Sequence, residues 1–251
     1  MIVTEQPATT GARSIQRPTL RLELHNCCIR PPKTADRLSN FDYCATVQRG
    51  AVTGRGRSPM TAVAAKPLRS YPWFIRLFFW KQGRTYGRVL DPSLLWGRSP
   101  WVFASVALLY GALDRRSSPI APALRSLVTV RVSQINHCAF CVDINSATLA
   151  KCGVAIEKID ALSDWQRSSL FDIEERLALE YAEAMTLNRV DVDLRDRLKE
   201  HWSDDAIVEL TGLIAFQNLS SKFNAAFDVP AQGFCHLPRA GSASEQNIRV
   251  N

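Results

Sequence analysis

The clearest hydrophobic period in the chain runs over residues 173–187. Leu177, Tyr181 and Ala184/Met185 line one face, and Glu174, Glu175, Glu180 and Glu183 fall mostly outside it. That spacing predicts an amphipathic helix whose role is packing. Upstream, WVFASVALLYGAL over residues 101–113 is apolar throughout and is followed by Asp114, Arg115 and Arg116. The run is short of the ~20 residues a bilayer span needs, so it predicts a buried helix. Residues 71–80, YPWFIRLFFW, are dense in aromatics and read as a short helix packed on the core or across a subunit interface. The Gly- and Pro-containing stretch YGRVLDPSLLWGRSP after it reads as loop. Ser117–Pro122 breaks the pattern, and Pro122 can open a helix over Ala123–Ile135. Val128, Val130 and Val132 alternate within it, which also fits a strand.

Further along, Gly153 is expected to close the helix before it in the left-handed C′ conformation. Ile156–Leu162 reads as a short helix, Asp164–Ser169 as a loop, and Asp193–Trp202 as a polar helix. Ser203 is placed to cap the next helix, with Asp204 and Asp205 in its favourable first turn and Ile207, Leu210 and Ile214 toward the core. That helix continues through Gln217–Asn224 with many amides and hydroxyls, which are expected to approach the site described next. An irregular tail is expected after Pro230.

Two cysteines give the chain its chemistry. Cys138 and Cys141 form a C-x-x-C pair in S-Q-I-N-H-C-A-F-C-V-D-I-N. Two thiols at this spacing can close a disulfide on one helical turn, or supply half of a metal site. If the helix begins at Asn136, an N-cap type, Cys138 sits in its first turn, where the dipole favours a thiolate. Cys138, Cys141, Asn145, Thr148 and Cys152 then share a face, and Asp143 points elsewhere. His137 abuts the pair and could act as a base, though an exposed loop position is the plainer expectation for it. Zinc would need two more ligands, and Cys152, Cys235, His201 and His236 offer no second C-x-x-C or H-x-x-x-H, so no metal is expected.

Composition changes the picture little. The chain has 251 residues, 46% hydrophobic and 22% charged, as in an ordinary globular protein. The formal charge of +7 is unevenly placed: residues 1–59 hold nine Lys and Arg against four Asp and Glu. They show no sustained period, no secretory core and no nucleic-acid motif. Met60 opens a segment that reads as a natural start. Residues 1–59 are therefore expected to be a disordered or spurious extension. Seven cysteines without a secretory segment fit a reducing, cytoplasmic setting, with neither nucleic acid nor membrane as partner.

The S-Q-I-N-x-C-x-F-C segment, with A-K-C-G-V, F-D-I-E-E-R-L-A-L-E-Y-A-E-A-M-T and D-D-A-I-V-E-L-T after it, resembles the alkylhydroperoxidase D-like (AhpD-like) branch of the carboxymuconolactone decarboxylase superfamily. The resemblance covers roughly residues 90–233. It implies an all-α fold over residues 60–251, a helix in place of the alternating valines, and a homo-oligomer. It also implies thiol-dependent peroxide reduction by Cys138 and Cys141, with a thiol or disulfide-reductase donor and no cofactor. In the family the second cysteine attacks and the first resolves, whereas the dipole argument favours Cys138 as the more acidic thiol. The family's relay His and Glu fall at Asn145 and Ser126, and Phe140 stands where some members have a further His. Asn145 and Ser126 can hydrogen-bond a thiolate or water but cannot take a proton near neutral pH. The alternative reading is thus a thiol–disulfide redox partner or sensor of the same fold. Muconolactone decarboxylation is disfavoured, since that branch generally lacks the pair.

Overall fold

The computed structural model describes residues 62–235, and every regular element among them is helical. The expectations for residues 1–59 and for His236 lie outside the described residues. In chain order the helices are α1 (Trp73–Tyr86), α2 (Asp91–Trp96), α3 (Pro100–Leu113), α4 (Pro122–Ile135), α5 (Ala139–Lys151), α6 (Ile156–Ala161), α7 (Ile173–Thr186), α8 (Val192–His201) and α9 (Asp204–Ala226). Short 3₁₀ turns lie at Leu68–Ser70 and Leu162–Arg167.

Helix α4 is the centre. It packs against α5, α7 and α9, and eight of its residues are buried around its circumference, including Val128, Val130 and Val132. The valine alternation that fits a strand thus belongs to a helix buried on every side, with Arg125, Ser126 and Ser133 among its buried residues; β-branched residues tolerate a helix when neighbours pack them. Leu177, Ala178, Leu179 and Ala182 of α7 and Leu210 and Ile214 of α9 complete this core.

Local signals set several boundaries. Asp172 and Glu175 form a capping box on α7, with side chain to backbone distances of 2.8 and 3.0 Å. Ser203 caps α9 through Ala206 N–H, and Asp191 caps α8. Gly153 takes φ +81° just past α5, the left-handed C′ geometry glycine adopts without Cβ strain.

Two expectations are corrected. The segment expected to be loop holds α2, started by Pro92 in its first turn. Residues 101–113 do form a helix, but not a buried one. Only Phe103 of α3 is buried, while Trp101 is 82% and Leu108 63% exposed. Trp73, Leu77 and Trp80 of α1 are also exposed, so α1 and α3 leave a broad apolar surface uncovered. No helix among the described residues is long and apolar enough to cross a membrane.

Candidate functional site

The site begins where α4 stops. Asn136 is the C-cap, and His137 takes φ +52° in the left-handed region. The His137 N–H donates to Gln134 O and the Cys138 N–H to Ser133 O, both at 3.1 Å. These two bonds make a Schellman motif with histidine at the position glycine usually holds. Cys138 is then the N-cap of α5, its Sγ accepting the Cys141 N–H at 3.1 Å. The expected start at Asn136 is therefore corrected. Asn136 belongs to the preceding helix and donates its amide to Asn218 and Ser221 of α9. His137 is exposed, and what it supplies is the turn.

Cys138 and Cys141 are joined as a disulfide with Cα atoms 5.2 Å apart, and both are buried. They differ in what they face. Cys141 lines a cavity of about 260 Å³ enclosed by α1, α2, α3, α5 and α9; Cys138 does not. The cavity wall is mostly apolar, and aromatic rings such as Phe78, Tyr86, Trp96, Phe103, Phe140 and Phe216 form much of it. Trp96 stacks on Phe223 at 3.6 Å, and Gln82 ties α1 to α2 through Ser93 Oγ and Leu90 N–H, each at 2.9 Å.

The polar part of the wall joins Lys81, Asp114 and several hydroxyls to four amides, and three of those amides lie near the cysteine pair. Asn145, one turn beyond Cys141, lines the cavity and donates to Ser133 Oγ at 3.2 Å. Gln217 donates to the same oxygen at 2.9 Å. Asn224, 1% exposed, donates Nδ2 to Cys141 Sγ at 3.2 Å. Asp114 also lines the cavity; burial raises its carboxyl pKa above the ordinary range, against the opposing pull of Arg125 at 3.8 Å.

The residues singled out from sequence thus separate. Cys138, Cys141 and Asn145 come together. Ser126 does not join them: its Oγ lies 3.9 Å from Cys152 Sγ, and it is absent from the cavity wall. As site residues, Ser133, Gln217 and Asn224 go beyond the sequence reading, although the amide-rich stretch 217–224 pointed toward two of them. Among the described residues no three His, Cys, Asp or Glu side chains gather as a metal site.

Asp143 turns away from the cavity, as the helical spacing requires. Its Oδ2 accepts the N–H groups of Gln232, Gly233 and Phe234 at 2.7, 2.7 and 3.1 Å, and its Oδ1 accepts that of Cys235 at 2.7 Å. The tail is thereby fastened over α5, with Phe234 edge-on to Phe140 and Tyr86 and the free thiol of Cys235 buried against Ala147.

A model of the carboxymuconolactone decarboxylase family matches residues 100–184, from α3 into α7. Uncharacterized protein YnjA of Escherichia coli (strain K12) is 47% identical over 178 residues, 70% of this chain and 98% of YnjA. The fold is similar to that of an uncharacterized peroxidase-related protein from Ralstonia eutropha JMP134, described as an alkylhydroperoxidase AhpD core. That match has a TM-score of 0.65 and 20% identity, covering 71% of this chain and 96% of the other. The debrominase Bmp8 is also similar, with a TM-score of 0.60 and 21% identity over 71% of this chain and 94% of Bmp8. At these identities the two structures speak to the fold alone.

Proposed function

The chain belongs to the carboxymuconolactone decarboxylase family, and from this premise we propose that it is a thiol-dependent peroxidase of the alkylhydroperoxidase D-like kind. The observation that carries the reading is that Cys141, within disulfide reach of Cys138, opens onto the aromatic-walled cavity. Cys141 is the attacking thiolate. Its sulfur bonds the terminal oxygen of a hydroperoxide, the O–O bond breaks, and the alkoxide leaves and takes a proton from water. Cys138 then attacks the sulfenic sulfur, hydroxide leaves as water, and the disulfide forms. A dithiol donor attacks Cys141, Cys138 leaves as its thiolate, and the donor's second thiol resolves the mixed disulfide, so that the donor leaves oxidised and the Cys138–Cys141 dithiol is restored. The N-cap geometry suits Cys138 to leave in that last step, because the Cys141 N–H and the α5 dipole stabilise its thiolate. The aromatic wall favours an organic hydroperoxide with an apolar body. Cytoplasmic placement and a homo-oligomer belong to the same proposal, the latter supported by the exposed apolar surface of α1 and α3.

The test uses the full chain, reduced, with cumene hydroperoxide. Cys138→Ser should accumulate a trappable sulfenic acid on Cys141, Cys141→Ser should stay unoxidised at Cys138, and the wild type should form a disulfide that a dithiol recycles. Wild-type oxidation no faster than that of free cysteine would refute peroxidase activity. Turnover of disulfide substrates alongside that result would favour the redox-partner reading instead.

A further inference from the structure

We propose that Asn224 is a catalytic residue of the peroxide step, its amide nitrogen holding the Cys141 thiolate and its amide oxygen receiving the hydroperoxide O–H. The inference rests on the peroxidase reading and gives a chemical role to a residue that the sequence pattern brought near the site only as part of an amide-rich stretch.

Asn224 stands in the last turn of α9, and its backbone carbonyl accepts the Phe227 and Val229 N–H groups, which fix the helix end. Gln217, Ser221 and Asn224 share one face of the helix by their spacing of four and three. Gln217 is engaged with Ser133, and Ser221 accepts from Asn136. Asn224 alone of the three turns on a thiol of the pair, 3.2 Å from Cys141 Sγ. A disulfide sulfur has no proton to give, so the amide nitrogen must face it and the oxygen must face away. That oxygen, Oδ1, is buried and has no hydrogen-bond partner among the described residues. Nearly all buried polar groups in folded proteins are paired, so an orphan acceptor on a residue of the cavity wall, beside a reactive thiol, points to a donor bound there.

The terminal O–H of a hydroperoxide is such a donor. With its hydrogen on Oδ1, the terminal oxygen is held beside Cys141 Sγ. The thiolate's electron pair forms the S–O bond, and the O–O pair departs on the alkoxide, which is protonated by water. The hydrogen on the transferred oxygen stays throughout, so the sulfenic acid Cys141–S–O–H remains bound to Oδ1 until Cys138 displaces hydroxide. The nitrogen serves the preceding moment, because donation to the charged form of a thiol favours that form. In this chain Asn224 thus takes up part of the work a relay histidine would do at position 145.

The experiment compares the full-length wild type with Asn224→Leu, which keeps the branched shape and loses both polar atoms, and Asn224→Asp, which keeps an acceptor but sets an anion against the sulfur. Two readouts are taken: the rate of Cys141 oxidation by cumene hydroperoxide, and the pH profile of Cys141 alkylation by iodoacetamide in a Cys138→Ser background. Both variants should oxidise roughly 10- to 100-fold more slowly, the worth of a hydrogen bond to a charged group. Both should titrate Cys141 higher by about one pH unit, with Asp displaced further than Leu. Melting curves identify any variant that has lost its fold, and the other variant then decides. Wild-type rates with an unshifted profile in a folded variant would overturn the assignment. A wild type inert to cumene hydroperoxide would remove the peroxidase reading and with it the peroxide role, while the alkylation profile would still decide whether Asn224 governs the thiolate.

Discussion

Asp143→Asn changes no side-chain volume, yet it should release the tail from α5. One carboxylate accepts four backbone N–H groups, three on Oδ2 and one on Oδ1. An asparagine keeps one acceptor, best placed at the Oδ2 position. Its amide nitrogen then meets the Cys235 N–H, donor against donor, and that buried group loses its partner at about 1–3 kcal/mol. The other three bonds change from charge-assisted to neutral and weaken by about 1 kcal/mol each. Removing a charge from the interior gives part of this back. A net loss of about 3 kcal/mol for opening the strap is the reasoned middle, equivalent to roughly 150-fold in the open population.

Cys235 is the reporter, being a free thiol that is 2% exposed beneath the strap. Alkylation of Cys235 by N-ethylmaleimide, followed by mass spectrometry with the Cys138–Cys141 pair oxidised, should therefore be about 100-fold faster in the variant. The melting temperature should fall less than a 3 kcal/mol loss would imply, because residues 229–235 lie outside the main core cluster. Equal protection of Cys235 in both proteins would refute the reasoning. If the melting point fell while Cys235 stayed protected, Asp143 would be stabilising α5 itself and not the strap.

Two further outcomes follow from close packing and from burial. Gly97 has an ordinary helical φ, but a Cβ there would lie 3.0 Å from both Ser93 O and Tyr71 Cε1. Tyr71 is held by its bond to Leu94 O, so Gly97→Ala should cost about 1–3 kcal/mol and several degrees of melting temperature; an unchanged melting point would contradict this. Asp114 holds its proton more tightly in the folded chain than in the unfolded one. It therefore favours folding below its unfolded value of about 3.9, and that support is lost as pH rises through its raised folded value. Asp114→Asn should accordingly melt higher than wild type at pH 7 and lose that advantage at pH 4 and below. An equal or lower melting point at pH 7 would show that the pull of Arg125 prevails.

The sequence was most legible where a local rule applies. The period of α7, the capping serine of α9, the closing Gly153 and the C-x-x-C pair all depend on neighbours within one or two turns, and each is found as expected. The start of α5 was misread because a thiol serves as its cap and a histidine takes the left-handed turn, where oxygen-bearing residues and glycine are the usual signs. The burial of α3 could not be judged from an apolar run alone, since burial depends on what lies opposite. Asn224 meets Cys141 across 83 residues, and the tail meets Asp143 across about 90. No periodicity encodes such pairings.

The burial of α4 on all sides has a consequence for how this chain can vary. A side chain there is read by three neighbouring helices at once, so few exchanges are free, and α4 acts as a spindle that fixes where α5 and its cysteines begin. The other wall of the cavity, α1 to α3, touches that spindle little and holds its shape through its own aromatic cluster. Mutational tolerance should therefore be lopsided. Substitutions in α1 to α3 can reshape what the cavity admits while the sulfur chemistry stays in register, so substrate preference and redox function can diverge independently on one scaffold.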